Sequence, residues 1–130
     1  MNACPFCSPQ IYDDAIGDVL LENEHALFLS GPQPVLNGSG LIVPRTHRET
    51  VFDLTPDEWQ ATYSLLHQVK ARLDEIMQPD GYNVGWNCGR VGGQSVFHAH
   101  LHVIPRFADE PLAGRGIRWR LKQADNQRPE

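Results

Sequence analysis

The chain has no apolar run approaching the roughly 18–20 residues needed to cross a bilayer. Its opening residues, MNACPFCSPQ, lack the basic start and apolar middle of a secretion signal. A cytoplasmic protein is expected. Cysteine is scarce: three residues, two of them in a C-x-x-C pair, make a poor disulfide framework and fit better with metal binding or redox work in a reducing compartment. Positive charge is in the minority, 11 Lys and Arg against 16 Asp and Glu for a formal net charge of -5, so no general attraction for nucleic acid or an anionic membrane is expected. Internal repeats and low-complexity segments are absent from the sequence.

What is present is an ordinary globular composition. The 130 residues, 41% hydrophobic and 21% charged, suffice for one compact domain with its own core and are too few for two of usual size. The expected domain spans residues 1–130. One segment departs from the average: Arg106, Arg115, Arg118, Arg120 and Lys122 stand there against only Asp109 and Glu110. It is either a solvated tail or an electrostatic rim for an anionic ligand.

Along the chain, DVLLENEHALFLS (18–30) gives two apolar runs broken by Glu22, Asn23 and Glu24, the pattern of a hairpin. GPQPVLNGSG (31–40) is loop, and LIVP (41–44) a short strand. TPDEW opens a helix, with Thr55 as cap, Pro56 at the first position and Glu58 completing a capping box. Trp59, Leu66, Val69, Leu73, Ile76 and Met77 give it an apolar stripe facing a core, and QPDG (78–81) stops it. GYNVGWNC (81–88) alternates Tyr82, Val84, Trp86 and Cys88 against Asn83, Gly85 and Asn87. That is a half-buried strand, close enough in sequence to the next to pair antiparallel with it, and Cys88 is expected to pack in the core.

FHAHLHVIPRF (97–107) places His98, His100 and His102 at alternate positions. On a strand the three share one face, about 6.6 Å apart at their α-carbons, lining a surface or cleft, while Phe97, Ala99, Leu101 and Val103 face the core. Three readings compete: unremarkable surface histidines, a three-histidine catalytic metal site with an open coordination position, or a division of labour between metal and chemistry. Cys4 and Cys7 have the spacing of a zinc knuckle and need two more ligands, with His25, His47, His67 and the triad as candidates. A redox pair is the other reading, although such a motif normally follows a strand and opens a helix.

GGQSVFHAHLHVIPR (92–106) resembles the signature of the histidine-triad (HIT) family, and the resemblance extends through CPFC, LIVPRTHRET and LTPDE over most of residues 4–107. His102 at the last triad position makes the chain look like the nucleotide hydrolase branches, the bacterial zinc-containing Hint-like members in particular, and unlike the uridylyltransferase branch. The resemblance implies an α+β fold: an antiparallel sheet of about five strands with one long helix and a short N-terminal helix or turn, usually in a homodimer. The core would be 4–107, with 108–130 a tail contributing to a substrate rim or a dimer. It further implies attack on the α-phosphate of a nucleotide derivative, with His100 as nucleophile and His102 binding the phosphate. Asn87, Gly93, Gln94 and Ser95 would stand at the phosphate and leaving group, and structural Zn2+ would sit on Cys4, Cys7, His47 and His98.

Elementary chemistry agrees with the assignment. Imidazole attacks phosphorus only when neutral, so one ring nitrogen must donate its proton to a fixed acceptor, such as a backbone carbonyl, and free the other lone pair. Charge on the phosphoryl oxygens needs donors already in place, which His102, Ser95, Gln94, Asn87 and the amides of Gly92 and Gly93 could supply. The other reading of Gln94 and Ser95 is turn chemistry in a Gly-Gly loop, and Arg106 meets either the leaving group or solvent. Two positions depart from the family pattern: FLSGPQP offers Ser30 and Gly31 where a ribose-binding carboxylate is common, and Gly38-Ser39 stands where Gly-His is common. The rival functions are a nucleotide-binding or scaffold protein with weak or no turnover, and a metallohydrolase with zinc on all three triad histidines.

Overall fold

The computed structural model describes residues 4–7 and 17–129. The expected polar connector after the cysteine pair lies outside the described residues, and the N-terminal helix or turn is represented by a turn at Cys4–Cys7, where the Cys7 amide donates to the Cys4 carbonyl at 3.3 Å. Asp18–Glu22 (β1) and Ala26–Ser30 (β2) form the expected antiparallel hairpin. Asn23 closes it, its Oδ1 accepting from the amides of His25 at 3.1 Å and Ala26 at 2.9 Å, the side chain standing in for a backbone turn. Gly40–Pro44 (β3) adds to β2; after a helix, Gly81–Trp86 (β4) and Leu101–Arg106 (β5) complete a five-stranded antiparallel sheet in the order β1-β2-β3-β5-β4. The last strand in sequence is thus held between β3 and β4.

The helix Pro56–Met77 (α1) begins as the sequence predicts: Thr55 Oγ1 accepts from the Glu58 amide at 3.1 Å, and the Glu58 carboxylate accepts from the Thr55 amide at 2.8 Å. Its buried stripe differs from the expected one. Trp59 and Ile76 are 48% and 59% exposed, whereas Glu58, Thr62, Leu65, Val69 and Leu73 point inward. The helix is turned because Glu58 takes an inward position and is met there by the Arg48 guanidinium at 2.9 Å. With the carboxylate paired, burying it no longer carries the full desolvation cost. Among the described residues no helix is long and apolar enough to cross a membrane.

Helix and sheet close the main core on Phe28, Ile42, Leu65, Val69, Leu101 and Val103. The other side of the sheet carries a smaller cluster of Phe6, Leu27, Leu29 and Val43, with Cys4, Leu41 and Val96 against it. Residues paired across an antiparallel ladder share a face. His102, which stands opposite Leu41 and Gly85, therefore faces this second side.

The triad strand is shorter than the alternation predicts. It starts at Leu101, so only His102 lies in it, and Phe97 is 38% exposed rather than in the core. The preceding backbone bonds elsewhere: the Ala99 amide donates to the Arg48 carbonyl at 2.7 Å, tying the segment to the loop after β3. His98 and His100 are consequently buried, not surface-lining, at 0% and 6% exposure. β4 likewise ends at Trp86, leaving Asn87 and Cys88 just beyond it; Cys88 packs against the cluster of Val51, Leu54 and Ala99.

Candidate functional site

The Cys4–Cys7 turn has proline at its second position, which suits a turn, and is anchored by Phe6, 3% exposed among the second cluster. The Phe6 ring meets those of both His98 and His100 edge-on, at 5.8 and 5.2 Å. Burial of one side chain thus sets both thiols beside the triad. His98 Nδ1 lies 3.5 Å from the sulfur of each cysteine, and His47 Nδ1 lies 3.2 Å from Cys7 Sγ. One donor atom from each of Cys4, Cys7, His47 and His98 falls within a 4.8 Å group.

These four side chains fit a zinc ion. Zinc–sulfur and zinc–nitrogen bonds of about 2.3 and 2.0 Å in tetrahedral geometry put neighbouring sulfur and nitrogen ligands about 3.5 Å apart. His98 Nε2–H donates to the Pro44 carbonyl at 2.8 Å, so a neutral ring presents the Nδ1 lone pair to the sulfurs. Burial, then the charges of His47 and His100, pull His98 below its usual value despite the opposing Pro44 carbonyl, favouring that neutral ring. Desolvation, then Cys4 as hydrogen-bond partner and as charge, pushes the Cys7 thiol up to about 11. Two adjacent thiolates need a cation, which a divalent ion supplies. Both cysteines are free thiols. His25, beside Glu24 at 3.8 Å, and His67, edge-on to Tyr63 in α1, are not in this group.

His100 faces the same junction. Its Nδ1–H donates to the His98 carbonyl at 2.8 Å, which leaves the lone pair on Nε2. The His102 ring lies 4.9 Å from it, centroid to centroid, and His102 Nε2 is buried without a hydrogen-bond partner among the described residues. Burial first, then the His100 charge, pull His102 below its usual value. A buried polar atom without a partner is costly, and a ligand oxygen would relieve it.

The loop between β4 and the triad is tightly self-bonded. The amides of Gly92, Gly93 and Gln94 donate to the carbonyls of Gly89, Arg90 and Gly89, at 3.1, 3.0 and 3.0 Å. A β-carbon at Gly92 would meet the Cys88 carbonyl oxygen at 2.5 Å, and Gly93 has φ of +100°, so both positions require glycine. Gln94, 2% exposed, accepts from the Gly89 amide at 2.8 Å and donates to the carbonyls of Glu49 at 2.6 Å and Val96 at 3.0 Å. Its side chain is spent on joining three segments. Asn87 and Ser95 are exposed at the loop's two ends, and Asn87 Cγ lies 3.5 Å from the position a β-carbon would take on Gly93.

Beyond His102 on the β2–β3 side lies a cleft of about 250 Å³ lined by Leu29, Ser30, Gly31, Gln33, Leu41, Ile104 and neighbouring residues, with His102 the one titratable side chain among the described residues of its wall. A more open hollow of about 390 Å³ is lined wholly by tail residues from Trp119 to Asp125 and touches none of the histidines. The support that sequence reasoning missed is Arg48, whose carbonyl holds Ala99 and whose guanidinium holds Glu58. Its place directly after His47 is the only signal the sequence offers.

An antiparallel five-stranded sheet with one long helix, and three alternating histidines running into its inner strand β5, defines an α+β fold of the histidine-triad type. The HIT domain model matches residues 14–109, and the chain belongs to the HIT family. It is 32% identical over 127 residues to protein hit of Bacillus subtilis, covering 98% of this chain and 85% of that one. It is 32% identical over 123 residues to adenosine 5'-monophosphoramidase HNT1 of Saccharomyces cerevisiae, covering 95% of this chain and 73% of the relative. Among solved structures, a Zn-bound histidine triad family protein from Mycobacterium smegmatis superposes with a TM-score of 0.72 at 27% identity, over 88% of this chain and 82% of that one.

Proposed function

We propose that this chain is a nucleotide hydrolase or nucleotidyl transferase that attacks the α-phosphate of a nucleotide derivative through His100. The observation that carries the reading is the 2.8 Å bond from His100 Nδ1–H to the His98 carbonyl, which makes Nε2 the nucleophilic atom. In the first step Nε2 bonds to phosphorus and the bond to the leaving group breaks, the leaving group keeping the electron pair and gaining a proton. In the second, water bonds to phosphorus, the phosphorus–nitrogen bond breaks and His100 is regenerated. His102, Ser95 and Asn87 stabilise the phosphoryl oxygens. Gly93 and Gln94 set the shape of the loop that carries Ser95.

The phosphoramidase among the relatives supports a phosphoramidate as one substrate, with acyl adenylates and dinucleoside polyphosphates as alternatives. The nucleoside occupies the cleft beside His102. Structural Zn2+ on Cys4, Cys7, His47 and His98 ties the N-terminal turn to the triad, a reading that the Zn-bound relative supports. The working unit is a cytoplasmic homodimer, for which the edge strand β4, with exposed Val84 and with Trp86 against the exposed Trp59 of α1, offers a surface.

A second reading, nucleotide binding with little or no turnover, draws on the loop amides that are already bonded to one another. Mass spectrometry of protein quenched during incubation with adenosine 5'-phosphoramidate separates the two. The catalytic reading expects a nucleotidyl adduct on the peptide bearing His100, and its absence alongside tight nucleotide binding overturns it.

A further inference from the structure

Between the end of β3 and the 3-10 turn Val51–Asp53, two consecutive backbone carbonyls hold the segments that lead into the triad. The Ala99 amide donates to the Arg48 carbonyl at 2.7 Å, and Gln94 Nε2 donates to the Glu49 carbonyl at 2.6 Å. Arg45, Thr46 and His47 before them are exposed, and Arg48 turns inward. Its guanidinium makes three bonds to the Glu58 carboxylate, at 2.9, 3.2 and 3.1 Å. Glu58 is 4% exposed and accepts from the Thr55 amide at 2.8 Å where α1 begins. A planar guanidinium bonded through two of its nitrogens fixes orientation as well as distance.

The Ala99 amide matters to the chemistry because it shares a peptide unit with the His98 carbonyl. That unit is planar and trans, so its N–H and C=O point in opposite directions and turn together. Arg48 holds the N–H end; the C=O end accepts from His100 Nδ1–H at 2.8 Å. One rigid plane therefore connects the Arg48 backbone to the His100 ring. Rotating the plane takes the acceptor away from Nδ1, and with it the reason for the proton to sit there rather than on Nε2. Donation by the N–H also polarises the carbonyl of the same unit and makes it a better acceptor.

We infer that Arg48, locked by Glu58, is a positioning residue for His100: through the His98–Ala99 peptide it keeps the ring proton on Nδ1 and leaves the Nε2 lone pair free for phosphorus. This rests on the nucleotidyl-transfer reading above and adds a residue outside both the possible metal ligands and the wall of the cleft beside His102. Its effect falls on rate rather than on nucleotide affinity. A ring with its proton on Nε2 still packs in place but presents no lone pair to the phosphorus.

The test compares the wild type with Arg48→Met and with Leu73→Ala, a core change toward the other end of α1 that weakens the fold without touching this chain of bonds. In Arg48→Met the single-turnover rate at saturating adenosine 5'-phosphoramidate is expected to fall by about ten- to a hundredfold. The dissociation constant for adenosine monophosphate and the zinc content should stay as in the wild type. Nitrogen NMR spectra of the histidine side chains, in isotope-labelled protein at mildly alkaline pH, should show His100 moving from the Nδ1–H form toward a mixture with Nε2–H. Leu73→Ala is expected to keep the wild-type rate and the Nδ1–H signal at temperatures where each protein is folded. Arg48→Lys, which retains one charge on Glu58, gives the same changes at smaller size and serves if the methionine protein does not fold. Unmoved His100 signals, a loss confined to nucleotide affinity, zinc lost from Arg48→Met, or an equal fall in rate in Leu73→Ala overturns the inference. If the wild type turns over neither the phosphoramidate nor diadenosine tetraphosphate, the nucleotidyl-transfer reading fails and the His100 spectrum alone decides the role of Arg48. A shift in Arg48→Met that Leu73→Ala lacks then upholds the assignment, and its absence ends it.

Discussion

His98 donates from Nε2 to the Pro44 carbonyl at 2.8 Å, and that one bond points its other nitrogen at the sulfurs of Cys4 and Cys7. A structural zinc on this group contributes directly to folding, because the unfolded chain has no preformed site. Cys4→Ala is expected to lower bound zinc from about one per chain to near zero and to cost several kcal/mol, a Tm drop of roughly 10 °C or more. Elemental analysis with a thermal melt checks it. Full zinc content in the variant would remove Cys4 from the ligand set.

His100→Ala should abolish turnover, by roughly a thousandfold or more in kcat, while zinc content and the far-ultraviolet spectrum stay as in the wild type. His100 lies outside the zinc ligand group, so its loss does not open that site. Single-turnover kinetics with a phosphoramidate read the loss, and wild-type rates in the variant would sink the nucleophile assignment.

The start of α1 and the grouping of Cys4, Cys7, His47 and His98 were legible in the chain; the limits of β4 and β5 and the orientation of what packs between them were not. Thr55, Pro56 and Glu58 announce the start of α1 because capping is local, decided within one turn. The turn of that helix about its axis is not local: it depends on Arg48, ten residues earlier, meeting Glu58. In the same way, alternation marks His98, His100 and His102 as a unit, yet cannot show that Ala99 bonds to Arg48 and so withdraws two of them from the strand. Gln94 reads as a polar loop residue until its three partners, from distant segments, come together.

Glu58 should make stability pH-dependent. Burial alone would raise its pKa, but hydrogen bonds from Arg48 and Thr55 outweigh that and hold the carboxyl below its usual value of 4.5. The folded state therefore keeps the proton off where the unfolded chain takes it up. The stabilisation is complete above about pH 4.5 and is lost as pH falls through the lower folded value. Glu58→Ala is expected to destabilise the fold at neutral pH, since it removes both the carboxylate that meets Arg48 and the acceptor for the Thr55 amide. Urea titrations at several pH values should show the difference between wild type and variant shrinking below pH 4.5; a constant difference would mean that the pair is not what holds Glu58.

Gln94 supplies the sharpest contrast between two substitutions. Gln94→Ala leaves the Glu49 and Val96 carbonyls and the Gly89 amide without their partner, a cost of about 2–4 kcal/mol. Gln94→Glu keeps the acceptor for Gly89 but turns a carboxylate oxygen toward two carbonyls. Buried and facing acceptors, that carboxyl has a raised pKa in the folded state, so protonation restores one donor. The alanine variant's deficit should change little between neutral pH and pH near 5, whereas the glutamate variant should regain stability on acidification. Chemical denaturation at the two pH values decides it: a glutamate variant that weakens on acidification would show that its side chain has left the junction, and that the three bonds are not what fixes the loop.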